Sequence, residues 1–509
     1  MYPRNHASIY PNRPACIFAG SGAILTYLEL ENSSNQIAHF FRSEGLRSGD
    51  VVTLFMNNCV QFVQVVWAAQ RSGLYYVCAS SRLTPPELRH IMTDAGTKML
   101  ICSLDLYEVA GRAASDLSIP VYFSDSSAIS GSLERATANF PATPIADEEP
   151  GQDMLYSSGT TGRPKGVKAA RRAGPIDAPL PVTLLARDLY AMQENTVYLS
   201  PAPLYHAAPL RFLMAVHQLG GTAIVMEKFD PEVALSLIEK YRVTHAQWVP
   251  THFARLLKLP AEVRGKYSMA SLQSTFHAGA PCSIDIKQRM IDWWGPIVHE
   301  YYASTEMNGF TAATAEEWLA RRGTVGRAII GKIRICDAQG DPLPPCREGA
   351  VYFEGGNQIE YHNDPEKTRA AYNKQGWTTV GDIGWVDESG YLYLTDRASF
   401  MIISGGVNVY PQEVENILIA HPKVADAAVI GAPDPDLGER VVAVIEPLDW
   451  ADANAEFAAE LMRFLRTQVS AIKAPRQIDF LPKLPREPTG KLFKRLIRDS
   501  YREQAAKAQ

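Results

Sequence analysis

The sequence predicts an α/β protein with a large N-terminal body and a small C-terminal α+β cap. Its 509 residues exceed what one hydrophobic core usually holds, so at least two structural units are expected. From about residue 25 to residue 320, β-branched runs alternate with helical periodicity, which is typical of parallel sheets covered by helices. After about Gly323, short strands and turns indicate an antiparallel or barrel-like subdomain. We place the boundary near residues 396–399, which gives a body over residues 1–396 and a cap over residues 397–509.

The individual elements follow from local patterns. In the body, the clearest are strands over residues 51–55, 98–102 and 222–226 and helices over residues 62–72 and 231–241. In the cap, βαβ-like patterning returns, with a helix over residues 411–420, strands over 424–431 and 440–446, an amphipathic helix over 455–469 and a solvated helix near 491–502.

Composition excludes several classes of protein. Charged residues make up 21% of the chain, and its 35 glycines and 34 prolines are an ordinary number for its length, so a disordered, collagen-like or coiled-coil protein is excluded. A net charge of -5 argues against a nucleic-acid partner held by bulk electrostatics. Seven cysteines without a CxxC pair favour a reducing compartment, and no apolar stretch has the length of a signal core or spanning helix. We therefore expect a cytoplasmic protein without integral membrane association.

A glycine-rich and hydroxyl-rich loop over residues 156–166 is the strongest chemical signal. Glycines let backbone N–H groups approach phosphate oxygens, hydroxyls add donors, and Arg163 and Lys165 offset phosphate charge. Pro164 stands where a Walker loop needs its second glycine, so the loop is not of that kind. The segment predicts a local polyphosphate site.

This loop resembles that of the adenylate-forming superfamily, which includes acyl- and aryl-CoA synthetases, luciferases and the adenylation domains of peptide synthetases. The resemblance extends over essentially the whole chain and is greatest to the acyl-CoA synthetase branch. Further segments resemble family motifs in the family's order, namely residues 300–306 (EYYASTE), 380–384 (VGDIG), 396–397 (DR) with 403–411 (ISGGVNVYP), and 484–491 (LPREPTGK).

The resemblance implies an AMP-forming acid–thiol ligase that uses ATP, Mg²⁺ and CoA. A carboxylate attacks the α-phosphate of ATP to give an acyl-adenylate and pyrophosphate, and a thiol then displaces AMP. It also implies that the cap is mobile and carries the catalytic lysine, Lys491, which bridges the carboxylate and the α-phosphate.

The resemblance further implies a role for each motif residue. Glu306 and Thr160 would hold the metal, since Mg²⁺ prefers oxygen ligands. Asp382 would accept the ribose hydroxyls beside Arg397, and Tyr302 would lie against the adenine. The implied ATP and AMP contacts are Ser157, Ser158, Gly159, Thr161, Gly162, Lys165, Gly279, Ala280, Pro281, Glu300, Tyr301, Tyr302, Thr305, Asp382 and Arg397. The implied CoA channel is Ser404, Gly405 and Gly406.

The chain departs from the family pattern at three places. Ala303 replaces the usual glycine before Glu306 and adds a methyl group beside the acyl pocket. At the hinge, Ser399 stands where many relatives carry Lys or Asp. After the phosphate loop, residues 168–175 contain Arg171 and Arg172, which form either a solvated turn or a local anion contact.

The acyl pocket is predicted to be apolar, which favours a fatty, aryl or polycyclic acid. Amino-acid-activating relatives hold the substrate ammonium with an Asp where this chain has His206, so an amino acid is a poor candidate. His206 is interpreted as a gate residue, with a structural role as the alternative, whereas His245 and His277 are interpreted as structural. Arg211 is expected to face solvent. The predicted pocket residues are Phe212, Trp248, Thr251, Ala278 and Ala303.

Two alternatives remain open at the level of sequence. One is an enzyme that adenylates an acid and loads it onto a carrier protein instead of CoA. The other is a non-catalytic nucleotide-binding relative, which the presence of both Lys491 and Glu306 disfavours. The expected partners are small molecules, and the chain is expected to be a monomer or homodimer.

Overall fold

The structure is a computed structural model, and it describes residues 2–124, 130–157, 164–405, 407–486 and 492–507. The strands are β1 (Pro14–Phe18), β2 (Ile24–Thr26), β3 (Val51–Phe55), β4 (Tyr75–Cys78), β5 (Thr97–Ser103), β6 (Val121–Ser124), β7 (Gln152–Ser157), β8 (Lys165–Lys168), β9 (Val197–Ser200), β10 (Thr222–Val225), β11 (His245–Trp248), β12 (Ser274–His277), β13 (Val298–Ala303), β14 (Phe310–Ala313), β15 (Arg327–Ile330), β16 (Lys332–Cys336), β17 (Gly349–Glu354), β18 (Asp382–Val386), β19 (Leu392–Arg397), β20 (Ile402–Ser404), β21 (Val407–Val409), β22 (Val424–Asp434), β23 (Gly438–Pro447) and β24 (Gln477–Phe480).

The helices alternate with these strands over much of the chain. They are α1 (Pro3–Ile9), α2 (Tyr27–Ser43), α3 (Val60–Arg71), α4 (Pro85–Ala95), α5 (Tyr107–Ala114), α6 (Leu133–Thr137), α7 (Pro181–Tyr190), α8 (Ala207–Leu219), α9 (Pro231–Tyr241), α10 (Pro250–Leu257), α11 (Ala261–Gly265), α12 (Ile284–Trp294), α13 (Ala315–Ala320), α14 (Pro365–Ala370), α15 (Pro411–Ala420), α16 (Ala455–Arg466) and α17 (Lys494–Lys507), with 3-10 turns at Leu104–Leu106, Ala398–Phe400 and Trp450–Asp452. Within the described residues, every helix is too short or too polar to reach across a membrane.

The chain divides into two compact units. The first comprises Met1–Trp248, Leu259–Thr275 and Ile359–Arg369. The second comprises Val249–Lys258, Phe276–Gln358 and Ala370–Gln509. The division at residue 396 into a body and a cap stays a prediction.

The first unit contains the parallel sheets that the alternating pattern predicts. One sheet has the strand order β6-β5-β3-β4-β7-β8, in which β3 pairs in parallel with β4 and β5 and only the last pair, β7 with β8, is antiparallel. Elsewhere in this unit, β9 pairs in parallel with β10 and β11, and β10 pairs in parallel with β1. All five residues of β3 are buried, as expected for a strand covered on both faces.

The second unit contains the antiparallel region predicted after Gly323. Strands β16 to β19 form an antiparallel sheet in chain order. Strand β14 pairs with β13 and β15, again antiparallel. The pairing of β18 with β19 sets Asp382 directly opposite Arg397, so two consecutive motifs meet across this hairpin.

The C-terminal part of the second unit is an α+β sandwich. Strands β22 and β23 are antiparallel, and β24 joins β23 in parallel after the crossover helix α16, which confirms the βαβ-like pattern. Because side chains alternate along a strand, Ala427 and Val429 of β22 pack with α15 and α16, whereas Ala428 and Ile430 pack with Ile497 of α17. The two helical layers therefore cover opposite faces of this sheet.

Candidate active site

The predicted phosphate loop is carried by two paired strands of the first unit. Strand β7 ends at Ser157 and β8 begins at Lys165, and the antiparallel register places these two residues opposite each other. Ser158, Gly159, Thr160, Thr161 and Gly162 lie outside the described residues, so the roles predicted for them stay predictions.

Lys165 is held by a carboxylate that sequence analysis did not identify. Its Nζ lies 2.5 Å from Oδ2 of Asp364, just before α14. The hydrogen bond from Lys165 is the largest cause of the lowered pKa of Asp364. Because 199 residues separate the two, no local pattern links them. The ion pair fixes the Lys165 ammonium group at the start of β8, directly after the predicted phosphate loop.

Tyr302, Asp382 and Arg397 form a connected cluster in the second unit. The Tyr302 hydroxyl donates to Oδ2 of Asp382 at 2.6 Å, and Nε of Arg397 donates to Oδ1 at 3.0 Å. Burial raises the pKa of Tyr302, and the Asp382 charge raises it further. Burial alone would lower the pKa of Arg397, but Asp382, Tyr302 and Glu306 together more than offset this. Sequence motifs predicted all three for the nucleotide, and the structure brings them together around one carboxylate.

The predicted metal ligand Glu306 lies in a turn that is closed by two hydrogen bonds. Ser304 Oγ donates to Asn308 Oδ1 at 2.9 Å, and the Met307 N–H donates to the Ser304 carbonyl at 3.1 Å. Met307 has a φ of 53°, a left-handed conformation that costs a non-glycine residue of order 1–3 kcal/mol and is concentrated at functional sites. The half-buried Thr305 and Glu306 are thus presented on a constrained backbone.

Glu306 can supply a carboxylate ligand to Mg²⁺, but the described residues around it do not form a complete metal site. Its charge contributes to the raised pKa values of Tyr302 and Arg397, which places it in the electrostatic neighbourhood of the cluster. In the part of the chain that the structure describes, no three His, Cys, Asp or Glu residues gather around a metal position. Mg²⁺ is commonly held by one or two carboxylates with substrate phosphates and water, and Glu306 suits that mode.

Glu300 is buried in the interior of the second unit. Lys287 Nζ lies 2.6 Å from its Oε2, His277 Nε2 lies 3.5 Å away, and burial is the main cause of its raised pKa. Its neighbour Tyr301 stacks on Phe310 with centroids 5.1 Å apart. The carboxylate that was predicted to contact the nucleotide is therefore engaged by an internal lysine.

The loop predicted beside the adenine follows β12 in the second unit. Gly279 has a φ of 87°, a conformation that glycine adopts without strain. Gly279 and Pro281 are exposed and Ala280 is half-buried, so the loop is open to a ligand, while the preceding Ala278 is buried.

The predicted acyl-pocket residues are distributed over both units. Phe212 of α8 and Trp248 of β11 are almost fully buried in the first unit. In the second unit, Thr251 lies in α10 and Ala303 ends β13. Their common pocket stays a prediction.

His206 and Arg211 flank the start of α8. His206 is the N-cap residue of this helix and its ring lies 4.5 Å from that of Tyr205. Arg211 does not face solvent as expected, because it forms an ion pair with Asp153 of β7 at 2.7 Å and its side chain is only 19% exposed. The carboxylate partner on β7 turns the guanidinium inward and neutralises it.

Contacts within the first unit bear on two other expectations. Arg171 donates to the Gly73 carbonyl and to Glu149, both at 3.2 Å, so its own chain engages it, and the solvated-turn and anion-contact interpretations of residues 168–175 stay predictions. His245 is buried and bonded to the Tyr190 carbonyl at 2.8 Å, which confirms its structural role.

The predicted CoA-channel turn connects β20 and β21. Ser404 is buried, and Gly405, with a φ of 56°, donates its N–H to the Leu437 carbonyl at 2.9 Å. This hydrogen bond attaches the turn to the loop between β22 and β23. Gly406 and the predicted catalytic Lys491 lie outside the described residues.

Comparisons with known proteins agree with these motifs. Residues 3–360 match the family model of the AMP-binding enzyme, and residues 413–491 match that of the AMP-binding enzyme C-terminal domain. The chain is 32% identical to a feruloyl-CoA synthase of an Amycolatopsis species, with 98% of each chain covered. It is 30% identical to the fatty acid–[acyl-carrier-protein] ligase ScoC of Streptomyces coeruleorubidus, over 97% of this chain and 95% of that one. ATP-bound MatB from Rhodopseudomonas palustris superposes with a TM-score of 0.84 at 28% identity, over 99% of this chain and 100% of MatB.

Proposed function

Because this chain belongs to the AMP-binding enzyme family and is an AMP-forming acid–thiol ligase of its acyl-CoA synthetase branch, we propose that it converts a hydrophobic carboxylic acid to its CoA thioester. ATP supplies the adenylate, and AMP and pyrophosphate are released. The observation that carries this proposal is the cluster of Tyr302, Asp382 and Arg397, which offers a fixed carboxylate to a ribose diol beside an aromatic ring.

In the first half-reaction, charge accumulates where the acid meets the α-phosphate. Electrostatic positioning dominates such chemistry, so cations are required there. Lys491 is proposed to bridge the carboxylate and the α-phosphate, while Lys165, which Asp364 holds in place, is proposed to lie near the outer phosphates. Glu306 and Thr160 would hold Mg²⁺, which when bound neutralises phosphate charge.

In the second half-reaction, a thiol displaces AMP from the acyl-adenylate. We propose that residues 397–509 move as a cap between the two steps and that Ser404, Gly405 and Gly406 then line the pantetheine channel. The support is the glycine turn, in which Gly405 adopts a positive φ and is bonded to the β22–β23 loop. His206, next to Tyr205 at the start of α8, is proposed as the gate between acyl pocket and channel.

The acid is proposed to be bulky and apolar. Phe212 and Trp248 are buried aromatic side chains, and burial of apolar surface contributes roughly 25 cal/mol per Å². Arg211 is already paired with Asp153, so it is not available to a second carboxylate on the substrate. The names of the feruloyl-CoA and fatty-acid relatives support an aryl or fatty acid.

A carrier protein in place of CoA is the second candidate, favoured by the likeness to ScoC. The test is thioester formation with free CoA and, separately, with a holo-carrier protein, across acetate, octanoate, a cinnamate, a dicarboxylate and a polycyclic propanoate. We expect CoA thioesters with octanoate or the ring acids and poor reaction with acetate. A preference for acetate or the dicarboxylate contradicts the proposal of a bulky apolar pocket. Thioester formation only with the holo-carrier protein means that the carrier protein, not CoA, is the acceptor.

A further inference from the structure

A cleft in the second unit is not used by the proposed reaction. It is an open cleft that lies between the 3-10 turn at Ala398–Phe400 with β20, the middle of β22, and the start of α17. Apolar side chains line its first side, whereas α17 contributes the cations Lys494, Arg495 and Arg498.

The three cations differ in how their charge is balanced. Lys494 is 7% exposed, and its Nζ lies 2.8 Å from Glu415 and 5.1 Å from the ring centre of Phe400. Among the described residues, neither Arg495 nor Arg498 has a carboxylate within ion-pair distance, and the Arg498 Nε is buried without an acceptor. The cleft therefore contains two half-buried guanidinium groups that lack a carboxylate partner in the part of the chain that the structure describes.

One acidic residue, Glu439, also lines the cleft, but its carboxylate is committed elsewhere. Its Oε2 accepts the Ile403 N–H at 3.1 Å. The same oxygen lies only 2.7 Å from the position that a Cβ on Gly431 would take. The absence of a side chain at Gly431 thus leaves room for the Glu439 carboxylate at the backbone of β20, and in this position it forms no ion pair with either arginine.

This arrangement is costly without a ligand. An unsatisfied buried donor destabilises the fold, and the macrodipole disfavours the cations in the first turn of α17, Lys494 and Arg495. The first turn of α17 contains no acidic residue that would offset this. An oxyanion in the cleft would satisfy the donors and balance the charge, and guanidinium groups match phosphate oxygens in geometry.

We propose that Arg495 and Arg498 form a phosphate-binding subsite in this cleft, in addition to the contacts predicted for Lys491. The inference rests on the proposed function, whose reactants carry phosphate groups. Two sources share this chemistry, a phosphate of CoA and the released pyrophosphate. Ile402 lines the cleft and stands two residues before Ser404, so the subsite is about 7 Å along the strand from the turn predicted to line the CoA channel.

The test compares the double variant Arg495→Gln/Arg498→Gln with a matched control. Arg463→Gln/Arg466→Gln removes two exposed arginines at the same spacing from α16 of the same unit. The KM for CoA and for 3′-dephospho-CoA is measured at saturating ATP and acid, and inorganic pyrophosphate is titrated calorimetrically into the full chain. Thermal unfolding verifies that each variant is folded, and Arg495→Gln alone replaces the double variant if the latter does not fold.

The proposal predicts that the cleft variant has a KM for CoA, or a dissociation constant for pyrophosphate, at least about tenfold higher than wild type. The control variant should match wild type in both. A higher KM for CoA but not for 3′-dephospho-CoA identifies the 3′-phosphate, and an equal rise for both identifies the diphosphate of CoA. Weaker pyrophosphate binding identifies the product. The proposal of a subsite is overturned if both KM values and the pyrophosphate affinity are unchanged in the cleft variant, or if the control variant is weakened equally. The pyrophosphate titration needs no turnover, so it is interpretable even if the wild-type chain forms no thioester, a result that would overturn the proposed function instead.

Discussion

Removal of the Tyr302 hydroxyl tests the nucleotide cluster most directly. Tyr302→Phe keeps the ring that is predicted to lie against the adenine and deletes the hydrogen bond of 2.6 Å to Asp382. A hydrogen bond to a charged group contributes about 1.5–3 kcal/mol. Since about 1.4 kcal/mol corresponds to a factor of ten, the KM for ATP should rise roughly 10- to 150-fold if the bond orients Asp382 for the ribose.

The assay is ATP–pyrophosphate exchange with varied ATP at saturating acid, then varied acid at saturating ATP. Tyr393→Phe is the matched control, because Tyr393 lies on β19 with Arg397 and packs on Trp385 at 4.1 Å instead of bonding to Asp382. We expect the KM for the acid to stay unchanged in both variants. A KM for ATP equal to that of wild type, or a rise confined to the acid, refutes the ribose assignment of Asp382.

Three further predictions follow from the motifs and from a buried ion pair. Lys491→Ala should abolish ATP–pyrophosphate exchange but retain conversion of a supplied acyl-adenylate to thioester, and equal loss in both steps contradicts cap movement. Gly406→Leu should stop thioester formation and spare adenylation, since a side chain would narrow the channel; loss of adenylation alone means that the channel is misplaced. Burial raises the pKa of Glu31, but Arg71, 2.5 Å away, lowers it below the usual value overall, so this pair stabilises the fold above about pH 4.5 and its contribution is lost as pH falls further. Glu31→Gln should therefore lower the stability at pH 7, by less than the about 3–5 kcal/mol of a fully uncompensated buried charge because Glu148 remains 3.7 Å from Arg71, and flatten the acid side of the stability profile measured by denaturant unfolding; an unchanged profile contradicts the assignment.

Local sequence signals predicted several elements almost to the residue. Strand β3 has the predicted bounds because five consecutive apolar or β-branched residues suit a doubly covered strand. Helix α9 begins at Pro231 after an Asp230 N-cap, and α15 begins at Pro411, so proline at the first turn marked both starts. Motif order likewise selected Tyr302, Asp382 and Arg397 before any contact between them was known.

Pairs of distant charges could not be predicted in this way. Lys165 meets Asp364 and Arg211 meets Asp153 only because segments remote in the chain are brought together, and no periodicity encodes which carboxylate lies opposite a given cation. The expectation that Arg211 faces solvent was wrong for this reason. Lys287 and Glu300 are only 13 residues apart, yet their contact also depends on how α12 packs beside β13 and not on a local pattern.

The sequence alone determined the α/β class, the adenylate-forming family and the residues that carry its motifs, because these are properties of short contiguous segments whose backbone geometry and chemistry are local. Tertiary structure decided which of those residues have partners. It joined Asp382 to Arg397 through the register of β18 and β19, and it turned Glu439 toward Ile403, so that Arg495 and Arg498 have no carboxylate partner among the described residues. Charge compensation depends on distances of a few ångströms between remote segments, and only the folded chain sets those distances.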